Sequence, residues 1–206
     1  MSSAPFLNAL EVRRSQYALS NKASISDAKI EEIVQRAVTH VPSSYNTQTS
    51  RAVVVLGEKN VQLWDALWEA HKANLPAELQ ETFKGKFDGS YKTGYGTIAF
   101  FEDQAVVDAT VEAQPALAGI YPTFTQNTAG ALQVIVWTAL ANEGMGATLQ
   151  HYGQFGPANA EALAKFLDIP ASWKSTGLMP FGVAAEGATL PEKAFQPIAE
   201  RVKVVA

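Results

Sequence analysis

Hydrophobic residues along the chain recur with two different periods, and each period predicts one kind of element. Apolar positions three and four residues apart predict amphipathic helices, whereas short β-branched or aromatic runs predict buried strands. We therefore expect helices at 4–14, 26–41, 61–73, 103–113, 125–142 and 157–167, and strands at 52–56, 97–101, 147–150 and 178–185. Residues 76–83 fit a short helix or a turn, the glycine-rich stretch 84–95 fits a loop, and the tail 201–205 alternates like an exposed strand.

Local signals support several of these boundaries. Ser26 is a favourable N-cap for the second helix, and Pro42 ends it. Gly57 ends the run AVVVL. Several helices mixed with a few short strands, without an internal repeat, predict a single α+β domain over 1–206. The segment 129–141 is apolar on nearly every side, which is typical of a helix in a core or an interface.

The composition excludes several classes of function. The 206 residues are 47% hydrophobic and carry a net charge of −4, without the clustered basic excess of a nucleic-acid-binding protein. The absence of cysteine excludes disulfides and zinc thiolates and fits a reducing compartment. The N-terminus lacks the apolar core of a secretory signal, and the segment 129–141 is shorter than the ~20 residues of a membrane helix. We expect a soluble cytoplasmic protein with no nucleic-acid or membrane partner.

Several common catalytic signatures are missing from the sequence. Neither Gly94-Tyr-Gly96 nor Gly144-Met-Gly146 extends to the dinucleotide pattern G-x-G-x-x-G, and there is no G-x-x-x-x-G-K-[ST] loop. No G-x-S-x-G motif marks a hydrolase. His40, His71 and His151 are far apart and lack metal-ligand spacing. We predict no metal site and assign no catalytic side chain.

One stretch between two apolar segments is polar but almost uncharged. VPSSYNTQTSR, residues 41–51, offers hydroxyls and carboxamides between Ser43 and Ser50. Such groups hydrogen-bond the edge of a neutral polar ring without adding charge. The stretch is either a capped turn between a helix and a strand or the wall of a ligand site.

Basic residues stand near both ends of the chain. Arg13, Arg14 and Ser15 follow the first predicted helix, and Arg201 and Lys203 lie in the tail. Each group alone is typical of solvated charge near a helix C-terminus. Together, cations and a hydroxyl suit a phosphate, while the polar loop suits a planar heteroaromatic ring. Flavin mononucleotide (FMN) carries both parts.

Six stretches in register resemble the FMN-dependent nitroreductase family, in particular its small fungal and bacterial branch. They are RRSQYAL (13–19), HVPSSYNTQTSRAVVVLGE (40–58), GYGTIAFFED (94–103), QVIVWTALANEGMGATLQHY (133–152), MPFGVAAE (179–186) and RVK (201–203). The resemblance implies a central, mostly antiparallel sheet flanked by helices. It also implies an intertwined homodimer with two FMN sites at the subunit interface, in which each C-terminal tail reaches the partner's sheet.

The resemblance further implies a set of cofactor-binding residues, carried over position by position. Arg13, Arg14 and Ser15 match positions that hold the phosphate and ribityl chain, and Arg201 and Lys203 match basic positions at the phosphate end. A loop from the second subunit and a segment after the apolar helix match positions around the flavin ring. These ring-side residues are Pro42, Ser43, Ser44, Asn46 and Gln48 in the loop, and Leu149, Gln150 and His151 in the later segment.

Tyr17 departs from the family pattern, because many members have Lys or Arg there, in contact with the flavin near N1 and O2. A cation at this place stabilises anionic reduced flavin and raises its potential. Tyr17 therefore implies a less easily reduced flavin or a substitute cation, for which Lys84 and Lys86 are candidates. No residue marks a 2′-phosphate site, so the sequence does not choose between NADH and NADPH.

The implied function is an NAD(P)H oxidoreductase that uses FMN to reduce nitroaromatics, quinones or similar electrophiles by a ping-pong mechanism. Two alternatives remain open from the sequence. One is a flavin-binding regulatory or stress-response protein with little turnover, and the other is a helical scaffold without a cofactor. Steady-state oxidation of NAD(P)H separates the first alternative from the enzyme, and a colourless purified protein favours the second.

Overall fold

The fold was analysed in a computed structural model of the single chain, which describes residues 2–205. Within these residues the chain forms helices on both sides of one sheet. The helices are α1 (Ala4–Val12), α2 (Asp27–His40), α3 (Glu58–Lys72), α4 (Ala77–Lys86), α5 (Gln104–Ala113), α6 (Tyr121–Asn142) and α7 (Pro157–Leu167). The strands are β1 (Ser50–Leu56), β2 (Gly96–Asp103), β3 (Gly146–Ala147) and β4 (Trp173–Gly182).

The four strands form one antiparallel sheet in the order β1-β2-β4-β3. The long strands β2 and β4 are central, and the register between them shifts at Phe100 and Phe101. The short strand β3 forms one edge and β1 forms the other. The sequence prediction of an α+β fold with a mostly antiparallel sheet between helices is confirmed.

Successive residues of the central strands bury their side chains on opposite faces of the sheet, as the pleat requires. Ile98 and Phe100 of β2 pack in a core with α2 and α6, whereas Ala99 and Phe101 pack in a second core with α3 and α7. The predicted N-cap is confirmed, because the Ser26 hydroxyl accepts a hydrogen bond from the backbone N–H of Lys29 at 3.3 Å. Two cores on one sheet make a three-layer arrangement.

The prediction of a loop at 84–95 was wrong for most of its length. Helix α4 continues to Lys86, and a π-helical turn follows at Phe87–Tyr91. Glycines at 85 and 89 lower the helical propensity of this stretch. However, Phe87 and Tyr91 are buried and pack on the Trp64 ring, with centroids 5.5 and 4.6 Å away. Burial of two aromatic rings outweighs the local preference for a loop.

Other boundaries also differ from the prediction. The expected strand 147–150 is reduced to β3 and an isolated bridge from Gln150 to Leu178. Helix α1 ends at Val12, α6 begins at Tyr121, and β4 begins at Trp173, before its apolar run. Residues 202–205 join no strand within the described chain, because a strand needs a neighbouring backbone to pair with. Among residues 2–205, no helix has the length and hydropathy needed to cross a membrane.

Candidate functional site

An open cleft lies beside the short edge strand β3. The segment that follows α1 runs along this strand, where Gln16 donates its backbone N–H to the Ala147 carbonyl at 2.9 Å and Ser15 forms a parallel bridge with Ala147. Together with the C-terminal segment, this stretch encloses about 610 Å³. The lining residues are Arg13, Arg14, Ser15, Gln16, Tyr17, Ala18, Thr189, Leu190, Pro191, Lys193, Ala194 and Phe195.

The cleft is electropositive. It is lined by the cations of Arg13, Arg14 and Lys193 and by no Asp or Glu side chain. The Arg13 guanidinium lies over the Trp137 ring, 4.5 Å from its centroid, Arg14 donates to the Pro191 carbonyl, and Lys193 donates to a backbone carbonyl of α1. Three unneutralised cations favour an anionic ligand, and guanidinium groups suit a phosphate in particular.

Gln16 and Gly146 explain how the chain approaches the sheet so closely here. Gln16 is buried and donates from Nε2 to the Ala18 carbonyl at 3.0 Å. A Cβ atom at Gly146 would lie 2.6 Å from Gln16 Cγ, which is closer than unbonded carbons pack. Glycine at this position therefore allows the segment 13–17 to lie against β3, and this is a structural role for the Gly144-Met-Gly146 break.

The segment after β3 turns one backbone edge towards the sheet and leaves the other edge open. Thr148 donates to the Pro180 carbonyl at 3.2 Å, and Gln150 exchanges two backbone hydrogen bonds of 2.7 Å with Leu178. In an extended segment the intervening residue, Leu149, directs its N–H away from that partner strand. This N–H donates to no acceptor within residues 2–205. His151 follows as an exposed side chain.

The polar loop between α2 and β1 has an unusual backbone. Tyr45, Asn46 and Gln48 have φ angles of 57°, 53° and 52°, a left-handed region that residues other than glycine seldom adopt. The loop is nevertheless tied down. The Ser43 hydroxyl accepts the Gln48 N–H at 3.0 Å, and the phenol of Tyr121 donates to the Thr47 hydroxyl at 2.6 Å. Backbone strain that is held in place by such contacts concentrates at functional sites.

The single chain does not bring this loop to the basic cleft. The loop leads into β1, at one edge of the sheet, while residues 13–17 lie along β3 at the other edge. Three strand spacings separate the edges by about 14 Å. Pro42, Asn46 and Gln48 are exposed, and Ser43 and Ser44 are half-buried.

The tail cations are also absent from the cleft. Arg201 and Lys203 are exposed and are not among the residues that line the cleft. Lys84 and Lys86, considered as substitute cations near Tyr17, lie on α4, where Lys84 pairs with Asp88 at 2.5 Å. Lys193 is the cation that sequence reasoning missed. Its only sequence signal is a positive charge in the proline-containing stretch LPEKAFQP.

The sheet between helices, with a basic cleft at one edge, defines an α+β protein whose cleft suits a small anionic ligand. The chain belongs to the nitroreductase family, since the Nitroreductase family model matches residues 10–183. It is therefore an oxidoreductase of the nitroreductase type. Across residues 2–205, no group of three His, Asp or Glu side chains is placed to hold a metal ion.

Individual relatives agree with this assignment. Nitroreductase FRM2 of Saccharomyces cerevisiae is 31% identical over 192 residues, covering 91% of each chain. Among solved structures, nitroreductase CinD of Lactococcus lactis in complex with chloramphenicol has a TM-score of 0.85 and 37% identity, covering 98% of this chain and 100% of that one. The same enzyme in complex with 4-nitrophenol has a TM-score of 0.82, with the same identity and coverage. The similarity thus extends over nearly the whole chain.

Proposed function

We propose that the protein is an FMN-dependent NAD(P)H oxidoreductase that reduces nitroaromatics, quinones or similar electrophiles. In this proposal two subunits form a homodimer with FMN at their interface. The observation that carries the proposal is the basic cleft, because it joins Arg13, Arg14 and Ser15 directly to the segment 147–151 through the bridge at Ala147. Phosphate-binding and ring-binding positions predicted from distant parts of the sequence thereby become neighbours.

The donor groups of the cleft fit FMN. Two guanidinium groups and the Ser15 hydroxyl at the cleft wall match a phosphate, which accepts several charge-assisted hydrogen bonds. The unpaired N–H of Leu149 matches an acceptor nitrogen at a ring edge. We propose that Tyr17, Gln150 and His151 complete this side of the ring site, with Lys193 as a further phosphate-side cation, and that Arg201 and Lys203 contribute once the tail is docked.

The homodimer is supported by the position of the polar loop and by uncovered apolar surface. Residues 42–48 lead into β1 at the sheet edge opposite the cleft, so a second copy is the simplest source of a loop for the same ring. Helix α6, which is apolar nearly all round, leaves Val134 and Ile135 at 44% and 38% exposure. The tail exposes further apolar side chains, including Val204 at 84%. Association buries such surfaces.

The chain's own residues bind and orient in this reaction. Bound FMN would supply the redox chemistry, taking two electrons as hydride from NAD(P)H and delivering them to the acceptor. Arg13, Arg14 and Ser15 would hold the phosphate, and the backbone of 149–151 would line the ring. Donor and acceptor occupy the same open face in turn, and we therefore expect ping-pong kinetics. Parallel lines in double-reciprocal plots support this, whereas intersecting lines contradict it.

The proposed class of electron acceptor is based on the ligands of a related nitroreductase. CinD of Lactococcus lactis was solved with chloramphenicol and with 4-nitrophenol, and both compounds carry a nitro group on a benzene ring. At 37% identity over nearly the full chain, we propose nitroaromatics as acceptors here as well. The NADH or NADPH preference follows from comparing the two donors at equal concentration.

The first experiment is a visible spectrum of the purified protein, followed by heat release and identification of the chromophore. We expect a flavin spectrum and about one FMN per subunit. NAD(P)H oxidation with 4-nitrophenol or a quinone then tests catalysis. FMN without appreciable turnover would favour the regulatory flavoprotein, and a colourless protein that takes up no added FMN would contradict both.

Mixed dimers test whether two chains share each site. Arg13→Ala damages the cleft, and Ser43→Ala removes the hydroxyl that holds the loop backbone. If each site combines a cleft with the partner's loop, a dimer of the two variants has one site with both lesions and one intact site. We expect half of the FMN sites in such dimers to recover wild-type affinity. Uniformly weakened sites would contradict the shared arrangement.

A further inference from the structure

A buried tyrosine holds one of the proposed ring-side residues in place. The phenol of Tyr91 donates to Gln150 Oε1 at 3.0 Å. Gln150 Nε2 in turn donates to the Thr148 hydroxyl at 3.0 Å. With its backbone already paired to β4, Gln150 is held at both ends of its side chain and along its main chain. The orientation of its amide therefore depends on Tyr91.

Tyr91 is itself held rigidly. It ends the π-helical turn, and its carbonyl accepts a hydrogen bond of 3.1 Å from Asn60 Nδ2. Its ring is only 2% exposed and packs 4.6 Å from Trp64 and 5.6 Å from Tyr152, measured between centroids. A π-helical turn is uncommon and often marks a functional position. Here it directs a phenol from the second core towards the segment after β3.

The surroundings of Tyr91 keep its phenol protonated. Burial raises the pKa of the Tyr91 phenol, and the neighbouring phenols of Tyr152 and Tyr17 raise it further. Tyr91 thus remains a protonated hydrogen-bond donor throughout the physiological pH range.

We propose that Tyr91 is a positioning residue that orients Gln150, and through it the backbone of 149–151, against the bound flavin ring. This inference rests on the proposed FMN site. Tyr91 does not contact the cofactor in this proposal. Its hydroxyl acts through the Gln150 amide, so its removal changes the flavin environment without removing any group that binds the phosphate.

The test compares Tyr91→Phe with a matched control, Tyr95→Phe. Both variants keep the aromatic ring and lose one hydroxyl. The Tyr95 phenol donates to Asp27 at 2.5 Å, away from Gln150. We measure FMN affinity of flavin-free protein by fluorescence quenching, the visible spectrum and midpoint potential of the bound flavin, and the unfolding midpoint in urea.

For Tyr91→Phe we expect FMN to bind about three- to tenfold more weakly, as the loss of one neutral hydrogen bond predicts. We also expect a shifted flavin spectrum and potential. Tyr95→Phe should leave all three flavin properties unchanged. In a Gln150→Ala background, Tyr91→Phe should have little further effect on the flavin, because the two residues act in series.

Three results would overturn the inference. One is a lowered unfolding midpoint for Tyr91→Phe with an unchanged flavin spectrum and potential, which would make the hydroxyl purely structural. Another is full additivity with Gln150→Ala. The third is a wild-type protein that binds no FMN. Because this result is obtained without any variant, it shows that the proposed function itself has failed.

Discussion

Replacement of Asn60 by alanine should be among the most destabilising single changes outside the cleft. Asn60 lies on α3, is completely buried, and joins three parts of the chain. Its Nδ2 donates to the carbonyls of Tyr91 and Gly94 at 3.1 and 3.2 Å. Its Oδ1 accepts from the Thr97 hydroxyl at 2.6 Å, and that hydroxyl accepts from Trp64 Nε1 at 2.9 Å.

The expected magnitude follows from the groups left without partners. Asn60→Ala leaves the Gly94 carbonyl without a partner and the Thr97 hydroxyl without an acceptor, and it leaves the Tyr91 carbonyl with only a 3.4 Å hydrogen bond from the Gly94 N–H. Each partner lost from such a buried group costs about 1–3 kcal/mol. Even with some relaxation we expect the free energy of unfolding to fall by about 3–6 kcal/mol, a large share of the roughly 5–15 kcal/mol of a typical domain. Because Asn60 holds the Tyr91 carbonyl, the variant should also loosen the turn at Phe87–Tyr91.

Urea unfolding of the flavin-free protein, followed by tryptophan fluorescence, measures this loss, since Trp64 belongs to the network. The control is Asn74→Ala, an exposed asparagine just after α3 whose amide makes one 3.4 Å hydrogen bond. This surface change should stay within about 0.5 kcal/mol. A loss below about 1 kcal/mol for Asn60→Ala, or equal losses for the two variants, would refute the reasoning.

Four further substitutions have clear expectations. Arg13→Ala should weaken FMN binding about ten- to a hundredfold, because a charge-assisted phosphate contact contributes roughly 1.5–3 kcal/mol; unchanged occupancy in dilute protein would contradict the assignment. Burial among aromatic rings lowers the pKa of His71. The free energy of unfolding should therefore be constant above about pH 6.5 and should fall by up to about 1.4 kcal/mol per pH unit below it. Urea titrations at several pH values measure this dependence, and His71→Phe should reduce it. Gly182→Ala places a Cβ 2.3 Å from the Ser20 carbonyl oxygen and should lower the free energy of unfolding by about 1–3 kcal/mol. In Gly85→Ala, on α4, the new Cβ meets no atom within 4 Å, so this variant should be slightly more stable than the wild type. Calorimetry measures both changes.

The sign for His71 follows from proton binding. A lowered pKa in the folded state means that the unfolded chain binds the proton first as the pH falls through its ordinary value of about 6.5. Each further decrease in pH then favours the unfolded chain, until His71 is protonated in the folded state too. Neither ring nitrogen of His71 has a hydrogen-bond partner within the described residues, so no contact compensates for this cost.

Elements with strong periodicity were predicted well from the sequence, and the misses have specific causes. Helix α2 and strand β1 follow local rules, because Ser26, Pro42 and the run of valines each carry a clear signal. The turn at Phe87–Tyr91 does not follow local rules, since its glycines and polar residues are typical of a loop. Only the burial of its two rings against α3, a long-range contact, makes it helical.

In the candidate site, too, residues that are close in sequence were predicted, and residues joined by long-range contacts were not. The residue types that hold a phosphate, Arg13, Arg14 and Ser15, are adjacent in sequence, and the cleft keeps them together. Lys193 joins them only because the C-terminal segment folds back to α1, and Tyr91 reaches Gln150 only through the packing of the second core. Contacts between residues so far apart leave no trace in local periodicity. Sequence reasoning therefore singled out the adjacent cations that line the cleft and missed Lys193 and Tyr91.

The short edge strand shows why one wrong boundary is informative. The sequence 147–150 was expected to form a strand, yet β3 ends at Ala147, and only the Thr148 N–H and an isolated bridge at Gln150 continue the pairing with β4. A full strand paired on both edges would use the backbone N–H of Leu149 within the sheet. Because the segment along β3 pairs at Ala147 and the open N–H lies two residues beyond, the edge keeps one donor free beside the basic cleft. The position of this segment at the edge of the sheet is therefore what leaves the Leu149 N–H available to a ligand.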